Sequence, residues 1–315
     1  MTQPRQHGPA ARPVWLLGSA VLIWGLAWWP LDISSQHAPP VMLAALRMVP
    51  SALLLWLGYL LMRGTLPRGR LLAGSILTGL LLFAFFQWAL MASIAYAGAG
   101  NSAVVMNMPP LLVAILGWLA LRERVSRLAV AGLITGFGGV VLMVATQLGS
   151  SQGAVRLLIG IGLGLAGSLA WAVGTLVMRG LSRDDPSIDI VGVSVVQYSV
   201  GALALVPIAF GAVGLSSTNW SSAELWAPLV WVGPVTALAT VFFFIVLKRL
   251  EAARTSSVLF LVPAIAIIVE IARGNAPGAL SLSGMFVAVI GVALVTTPPD
   301  LLSRSVLVRS VLRPR

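Results

Sequence analysis

The chain has no cysteine, only two histidines, and so few charges that Asp, Glu, Lys and Arg make up 9% of its 315 residues, against about 25% in soluble proteins. Without cysteine there are no disulfides and no thiolate chemistry. His7 and His37 lie outside every long apolar run, and no two carboxylates sit at a workable spacing within one. An intramembrane enzyme or a metal centre therefore lacks its acids, bases and ligands, and no catalytic residue, metal or cofactor is expected. No ATP-binding motif is present. The run Gly160-Ile161-Gly162-Leu163-Gly164 looks superficially like a nucleotide loop, but it lies inside an apolar stretch with no strand before it.

What the chain does have is apolar length. Hydrophobic residues are 58% of it, and they fall into runs near the roughly 20 residues a helix needs to cross a bilayer. Ten runs are read: 14–33, 41–62, 71–94, 102–121, 128–146, 157–178, 190–210, 226–247, 255–272 and 282–297. The expected fold is an all-α integral membrane protein. The formal net charge of +11 would point to nucleic acid in a soluble protein, but here it collects in alternate short loops. Of the 20 Lys and Arg, Arg47 lies within a span, Arg156 and Arg273 fall on one side, and the remaining 17 on the other. Positive loops stay inside, so both termini are expected in the cytoplasm of a multi-pass inner-membrane protein. Nucleic acid is not an expected partner. The lipid bilayer is, and residues 298–315 read as a basic cytoplasmic tail, matching a basic N-terminal tail at 1–13.

The second regularity is a repeat. Asn101-Ser102-Ala103-Val104-Val105, leading to Gly139-Val140-Val141-Leu142, returns as Arg254-Thr255-Ser256-Ser257-Val258, leading to Gly291-Val292-Ala293-Leu294. Trp24 aligns with Trp171, Arg47 with Gln197, Pro110 with Pro263, Gly132 with Gly284, and Gly139 with Gly291. The flanking charges change sides: Arg122, Glu123, Arg124 and Arg127 follow the first copy's block, whereas the equivalent turn of the second reads Asn275-Ala276-Pro277-Gly278. An odd number of spans per copy inserts the second copy upside down, which is the mark of an inverted-repeat transporter. The two repeats are read as 14–146 and 157–297, with Gln147 to Gly153 between them.

Taken in order, Trp24-Gly25, Arg47, Asn101 through Pro110 to Glu123, Gly132 with Gly139-Val140, and Pro263 with Gly291-Val292 resemble the ten-helix EamA-type transporters of the drug/metabolite transporter superfamily. The resemblance covers about residues 16–295. It implies a secondary transporter that exports a small metabolite, with amino acids or amphipathic organic compounds as leading substrates. A passive channel or an uptake carrier for a small organic solute is the alternative. Two complementary repeats can form a pathway without a second copy, so a functional monomer is expected.

Arg47 is the sharpest candidate, because a bare arginine within a span costs roughly 2.5–3.5 kcal/mol on insertion scales. It faces the central cavity and attracts an anionic group, or it pairs with Asp32 or Glu270, or it snorkels outward. Glu270 is the coupling candidate, carrying a proton through the cycle; alternatively it is neutralised by Arg273 one turn on. Pro109, Pro110 and Pro263 fall within corresponding spans and either break them to form a midplane site or bend them for packing. Trp24, Gln87, Trp88, Asn107, Trp171, Gln197 and Tyr198 complete the expected substrate pocket, since amides in lipid must point inward or pair. Trp28 shares a helix face with Trp24 one turn earlier and would suit the same pocket, but Trp28, Trp29, Trp220, Trp226 and Trp231 sit near span ends and read as interfacial anchors.

Overall fold

A computed structural model describes residues 14–109, 111–112, 115–116, 127–145, 151–185, 187–249, 261–274 and 278–296. Pro110, the turns at Arg122 and Asn275, and both basic tails lie outside the described residues. Every regular element among those described is helical: α1 (Val14–Ser35), α2 (Pro40–Met62), α3 (Gly69–Thr78), a π-helical turn (Gly79–Phe85), α4 (Phe86–Val105), α5 (Arg127–Ala145), α6 (Ser151–Asp184), α7 (Ile190–Ile208), a second π-helical turn (Ala209–Val213), α8 (Ala223–Arg249), α9 (Leu261–Ala272) and α10 (Ala279–Thr296). Among the described residues six helical runs are long and apolar enough to cross a membrane: Trp15–Ser35, Pro40–Met62, Gly69–Val105, Gly153–Asp184, Ile190–Val213 and Ala223–Val246. Shorter apolar helices cover Val130–Gly139, Leu261–Ala272 and Leu282–Gly291.

The distribution of polarity is that of a membrane protein. Leu61, Leu203, Ile134 and Val141 point outward, with Leu203 74% exposed, while Arg47, Gln87, Gln197 and a set of serines and threonines are buried. In water this arrangement would expose the wrong groups; in lipid it satisfies the polar ones internally.

The run Gly69–Val105 is not one rod. Gly98 takes φ 77° and ψ 163°, a left-handed conformation that favours glycine. The hydroxyl of Ser93 donates to that of Ser102 across 2.8 Å, although nine residues of straight helix would separate them by about 13.5 Å. The chain doubles back at Gly98, and α6 packs on both arms. A Cβ built on Gly164 would lie 2.9 Å from Val105 Cγ1 and 3.0 Å from Ser93 Oγ. Gly160 and Gly164 thus form a close-packing face of α6, while Gly162 between them meets nothing. That helix opens at Ser151, several residues before the expected span, so the end of the inter-repeat segment is itself helical.

The helices pair as α1 with α8, α4 with α6, α2 with α7 and α5 with α10. At the last crossing, a Cβ on Gly139 would lie 2.6 Å from the carbonyl oxygen of Gly284, and one on Gly291 would lie 2.6 Å from that of Gly132. As α5 ascends from Gly132 to Gly139 its partner descends from Gly291 to Gly284, so these helices are antiparallel. The turns gather at two ends. At one, His37 Nε2 lies 2.8 Å from a Glu224 carboxylate oxygen, and Arg156 donates to the Ala95 carbonyl at 3.0 Å. At the other, the Thr65 amide donates to Asp189 at 2.7 Å, and Arg70 pairs with Asp184 at 3.1 Å.

Candidate functional site: the central cavity

Between α1, α2, α4, α6, α7, α8 and α9 lies a cavity with about 90 Å³ open to the centre of a water molecule. Each wall has a local cause. On α1, Trp24, Ala27, Trp28 and Leu31 recur at helical spacing and form one inward face. On α4, Phe86, Gln87 and Leu90 follow the π-helical turn Gly79–Phe85. Such turns add a residue within a helix and change which side chains point inward beyond it.

The chain after α4 supplies the least regular wall. Helix stops at Val105, Met106 to Met108 form a turn, and helix resumes at Pro109, where a missing N–H costs nothing. Pro109 therefore interrupts the span rather than bending it. The Val105 carbonyl, four residues before the proline, accepts from Ser168 Oγ on α6 at 2.7 Å. Met106, Asn107 and Pro109 all face the cavity, with Asn107 held by a 2.7 Å bond from its Nδ2 to the Ala103 carbonyl.

Arg47 forms the polar pole. It is 3% exposed and enters from α2, two turns after Pro40. Its Nη1 donates to Gln87 Oε1 at 3.2 Å and its Nη2 to Thr236 Oγ1 at 3.4 Å, while Nε is buried without a partner. Beside it, the Tyr198 hydroxyl donates to Thr240 Oγ1 at 3.1 Å. The aromatic pole is built by Trp24 against Trp171, edge to face at 6.3 Å, and by Phe86 against Trp171 at 4.7 Å.

Of the expected pocket residues, Trp24, Arg47, Gln87, Asn107, Trp171 and Tyr198 surround this space. Trp88 and Gln197 are not among the lining residues. Trp88 is one step round the helix from Gln87 and packs on Phe85 at 5.6 Å; Gln197 donates to Thr78 at 2.8 Å and to the Met178 sulfur at 3.2 Å. Pro263 is buried in the first described turn of α9, behind the lining residue Val262. Trp28, expected at the lipid interface, is instead 7% exposed and lines the cavity. Thr236 and Thr240 were not among the expected residues, though two hydroxyls one turn apart in an apolar span are a signal that marks them. Phe86, Leu90 and Met106 carried no such signal.

Neither Asp32 nor Glu270 reaches Arg47. Arg273 takes both, at 2.8 Å to Glu270 and 3.8 Å to Asp32, and its guanidinium stacks on Trp29 at 5.6 Å. This cluster ties the end of α1 to the end of α9, beyond the cavity's Leu31.

A profile of the EamA-like transporter family matches residues 12–145 and again 158–297. The chain belongs to the EamA-like transporter family. Its two matches bracket the cavity, whose walls come from both. The chain is 27% identical over 290 residues to YvbV of Bacillus subtilis (strain 168), named as an uncharacterized transporter, covering 92% of this chain and 93% of that one. It is 27% identical over 303 residues to a chloroplastic WAT1-related protein of Arabidopsis thaliana, covering 90% of this chain and 69% of the plant protein. A solved crystal structure superposes with TM-score 0.63 over 95% of this chain and 98% of its own, at 20% identity. That likeness is one of fold. An EamA-like protein with this polarity is a multi-pass membrane transporter.

Proposed function

We propose that the chain is a ten-helix secondary transporter of two inverted five-helix repeats, residues 14–146 and 157–297, which exports a small amphipathic metabolite by alternating access. The membrane is the cell's inner membrane, both termini are cytoplasmic, and the protein works as a monomer. The family implies amino acids and other amphipathic organic compounds as the substrate range. One observation carries the reading: the cavity lies where corresponding Trp24 and Trp171 meet, beside a span interrupted at Met106–Met108. Interrupted helices at the junction of inverted repeats are where carriers place their substrates.

Support for the inverted arrangement comes from the antiparallel crossing of α5 and α10 through corresponding glycines. The doubling back at Gly98 supports the full span count, since it divides one long helical run into two. The orientation rests on the basic residues Arg63, Arg68, Arg70, Arg179 and Arg183, which lie near the Thr65–Asp189 end.

Purified protein in proteoliposomes tests the function directly. Saturable counterflow, with substrate on the far side accelerating uptake of label, is expected; flux that rises linearly without saturation is the behaviour of a channel. Because the chain has no cysteine, single cysteines at Arg122 and Asn275 also test the topology. Labelling from opposite compartments is expected, and labelling from the same one would remove the inverted repeat.

A further inference from the structure

The groups facing the cavity do not balance in charge. Among the described residues Arg47 is the one charged side chain in the lining. Its acceptors are neutral and long, at 3.2 and 3.4 Å, and its Nε has none. The two carboxylates expected as partners, Asp32 and Glu270, are held by Arg273. A guanidinium buried to this degree with only an amide and a hydroxyl for company is incompletely compensated.

The neighbouring groups are set to help an anion. Gln87 turns its carbonyl oxygen to Arg47, which leaves the Nε2 amide with no hydrogen bond among the described residues. The hydroxyl hydrogens are already spent: Thr236 donates to the Val232 carbonyl at 2.7 Å, Thr240 to the Thr236 carbonyl at 3.0 Å, and Tyr198 to Thr240. Arg47 and Gln87 thus keep donors to spare side by side. Opposite them lie the faces and edges of Trp24, Trp28, Phe86 and Trp171.

We infer that the ligand of this cavity is a small aromatic carboxylate carrying no ammonium group, its carboxylate held by Arg47 and Gln87 and its ring enclosed by Trp24, Trp28 and Trp171. The inference rests on the cavity being the transport site and narrows the substrate range within it. An aromatic enclosure alone would also suit an organic cation, but Arg47 repels one. An amino acid would place its ammonium in the same enclosure with no carboxylate to receive it, leaving an uncompensated buried charge. A doubly charged anion would leave its second charge unpaired, because the lining offers a single cation.

The test uses the full chain in nanodiscs, with binding of four ligands of one skeleton measured by calorimetry: 3-phenylpropanoate, phenylalanine, phenethylamine and 3-phenylpropan-1-ol. The acid is expected to bind at least about tenfold more tightly than phenylalanine or the amine, the effect of one unpaired charge in a dry site. Gln87→Leu should weaken the acid about threefold, as loss of one hydrogen bond would, and Arg47→Gln should abolish the preference for acid over alcohol. Phenylalanine or phenethylamine binding as well as the acid, or none of the four binding, would overturn the inference. So would an acid preference that survives Arg47→Gln. The ligand series on the unaltered chain stands even where a variant fails to fold. Binding of the acid without counterflow would support this inference while removing the carrier reading; counterflow of phenylalanine but not of the acid would do the reverse.

Discussion

Arg47 and Gln197 stand at corresponding positions of the two repeats, and their backbones are treated alike. A Cβ on Gly233 would lie 2.8 Å from the Arg47 carbonyl oxygen, and one on Gly79 3.0 Å from that of Gln197. In both places a glycine on a neighbouring helix lets a polar residue's main chain come close. The side chains then part company. Arg47 lines the cavity and bonds to Gln87 and Thr236, whereas Gln197 turns to Thr78 and the Met178 sulfur and is wholly buried. The scaffold keeps its two-fold regularity while the chemistry abandons it. In the carrier proposed above such a division has a use, because matched backbones would keep two conformations close in energy while a single charged position selects the substrate.

The most damaging way to break the comparison is at the α5–α10 crossing, where regularity is strictest. Gly139→Ala would drive its new methyl onto the backbone of Ala288 and Gly284, and Gly291→Ala onto that of Gly136 and Gly132. Backbone cannot step aside as a side chain can, so each variant should lose about 3 kcal/mol or more. Thermal unfolding in detergent should show similar falls for the two. If Gly139→Ala unfolds the protein and Gly291→Ala leaves its melting point unchanged, the crossing is not symmetric in energy.

Exchanging the two polar residues sharpens the contrast next. Arg47→Gln should lower counterflow efficiency at least tenfold, equivalent to about 1.4 kcal/mol, with little change in melting. Gln197→Arg should do something different in kind: it buries a cation beside Thr78 and Met178 and lowers stability by about 3 kcal/mol. Equal transport by wild type and Arg47→Gln would mean that the cavity's charge plays no part in recognition.

Glu270 offers a narrower test at the outer cluster. If it carries the proton of a coupled cycle, Glu270→Gln should abolish accumulation driven by a pH gradient and leave exchange intact. Arg273 would keep Asp32 as a partner, so the helix ends should stay joined. Full pH-driven accumulation in Glu270→Gln would reduce Glu270 to an anchor for Arg273.

Most of the helices could be read from apolar run lengths, and the cavity's polar pole from the incongruity of Arg47 in such a run. Pro109 likewise marked its break, because a ring without an N–H has a physical consequence wherever it falls. Side-chain direction was harder. Trp28 and Trp29 are neighbours separated by about 100° around a helix; Trp28 shares the face of Trp24 one turn earlier, but its place near the span end pointed to the lipid interface, and only the structure separates it from Trp29, which is 44% exposed and stacks on Arg273. Gln87 and Trp88 pose the same problem. The π-helical turn at Gly79–Phe85 compounds it, since a shift of register upstream changes which of the following residues look inward, and no residue type encodes that turn. Phe86 and Leu90 were therefore invisible as lining residues until the backbone was known.

The gentlest perturbation bears on the interrupted span itself. Ser168 supplies from α6 a hydrogen bond to the Val105 carbonyl, which also accepts from the Met108 amide at 3.2 Å, just where Met106 to Met108 leave the helix. Buried hydroxyl bonds of this kind in membrane proteins average about 0.6 kcal/mol, so Ser168→Ala should cost little in melting temperature. Its effect should fall instead on rate: with the break less firmly tied to α6, counterflow should change in velocity while half-saturation stays constant, because Ser168 does not line the cavity. A change in half-saturation without one in velocity would place the hydroxyl in recognition. A variant unchanged in both would show that the break is held without Ser168, by Pro109, the Met108 amide on the Val105 carbonyl and the packing of Met106 against Gly167.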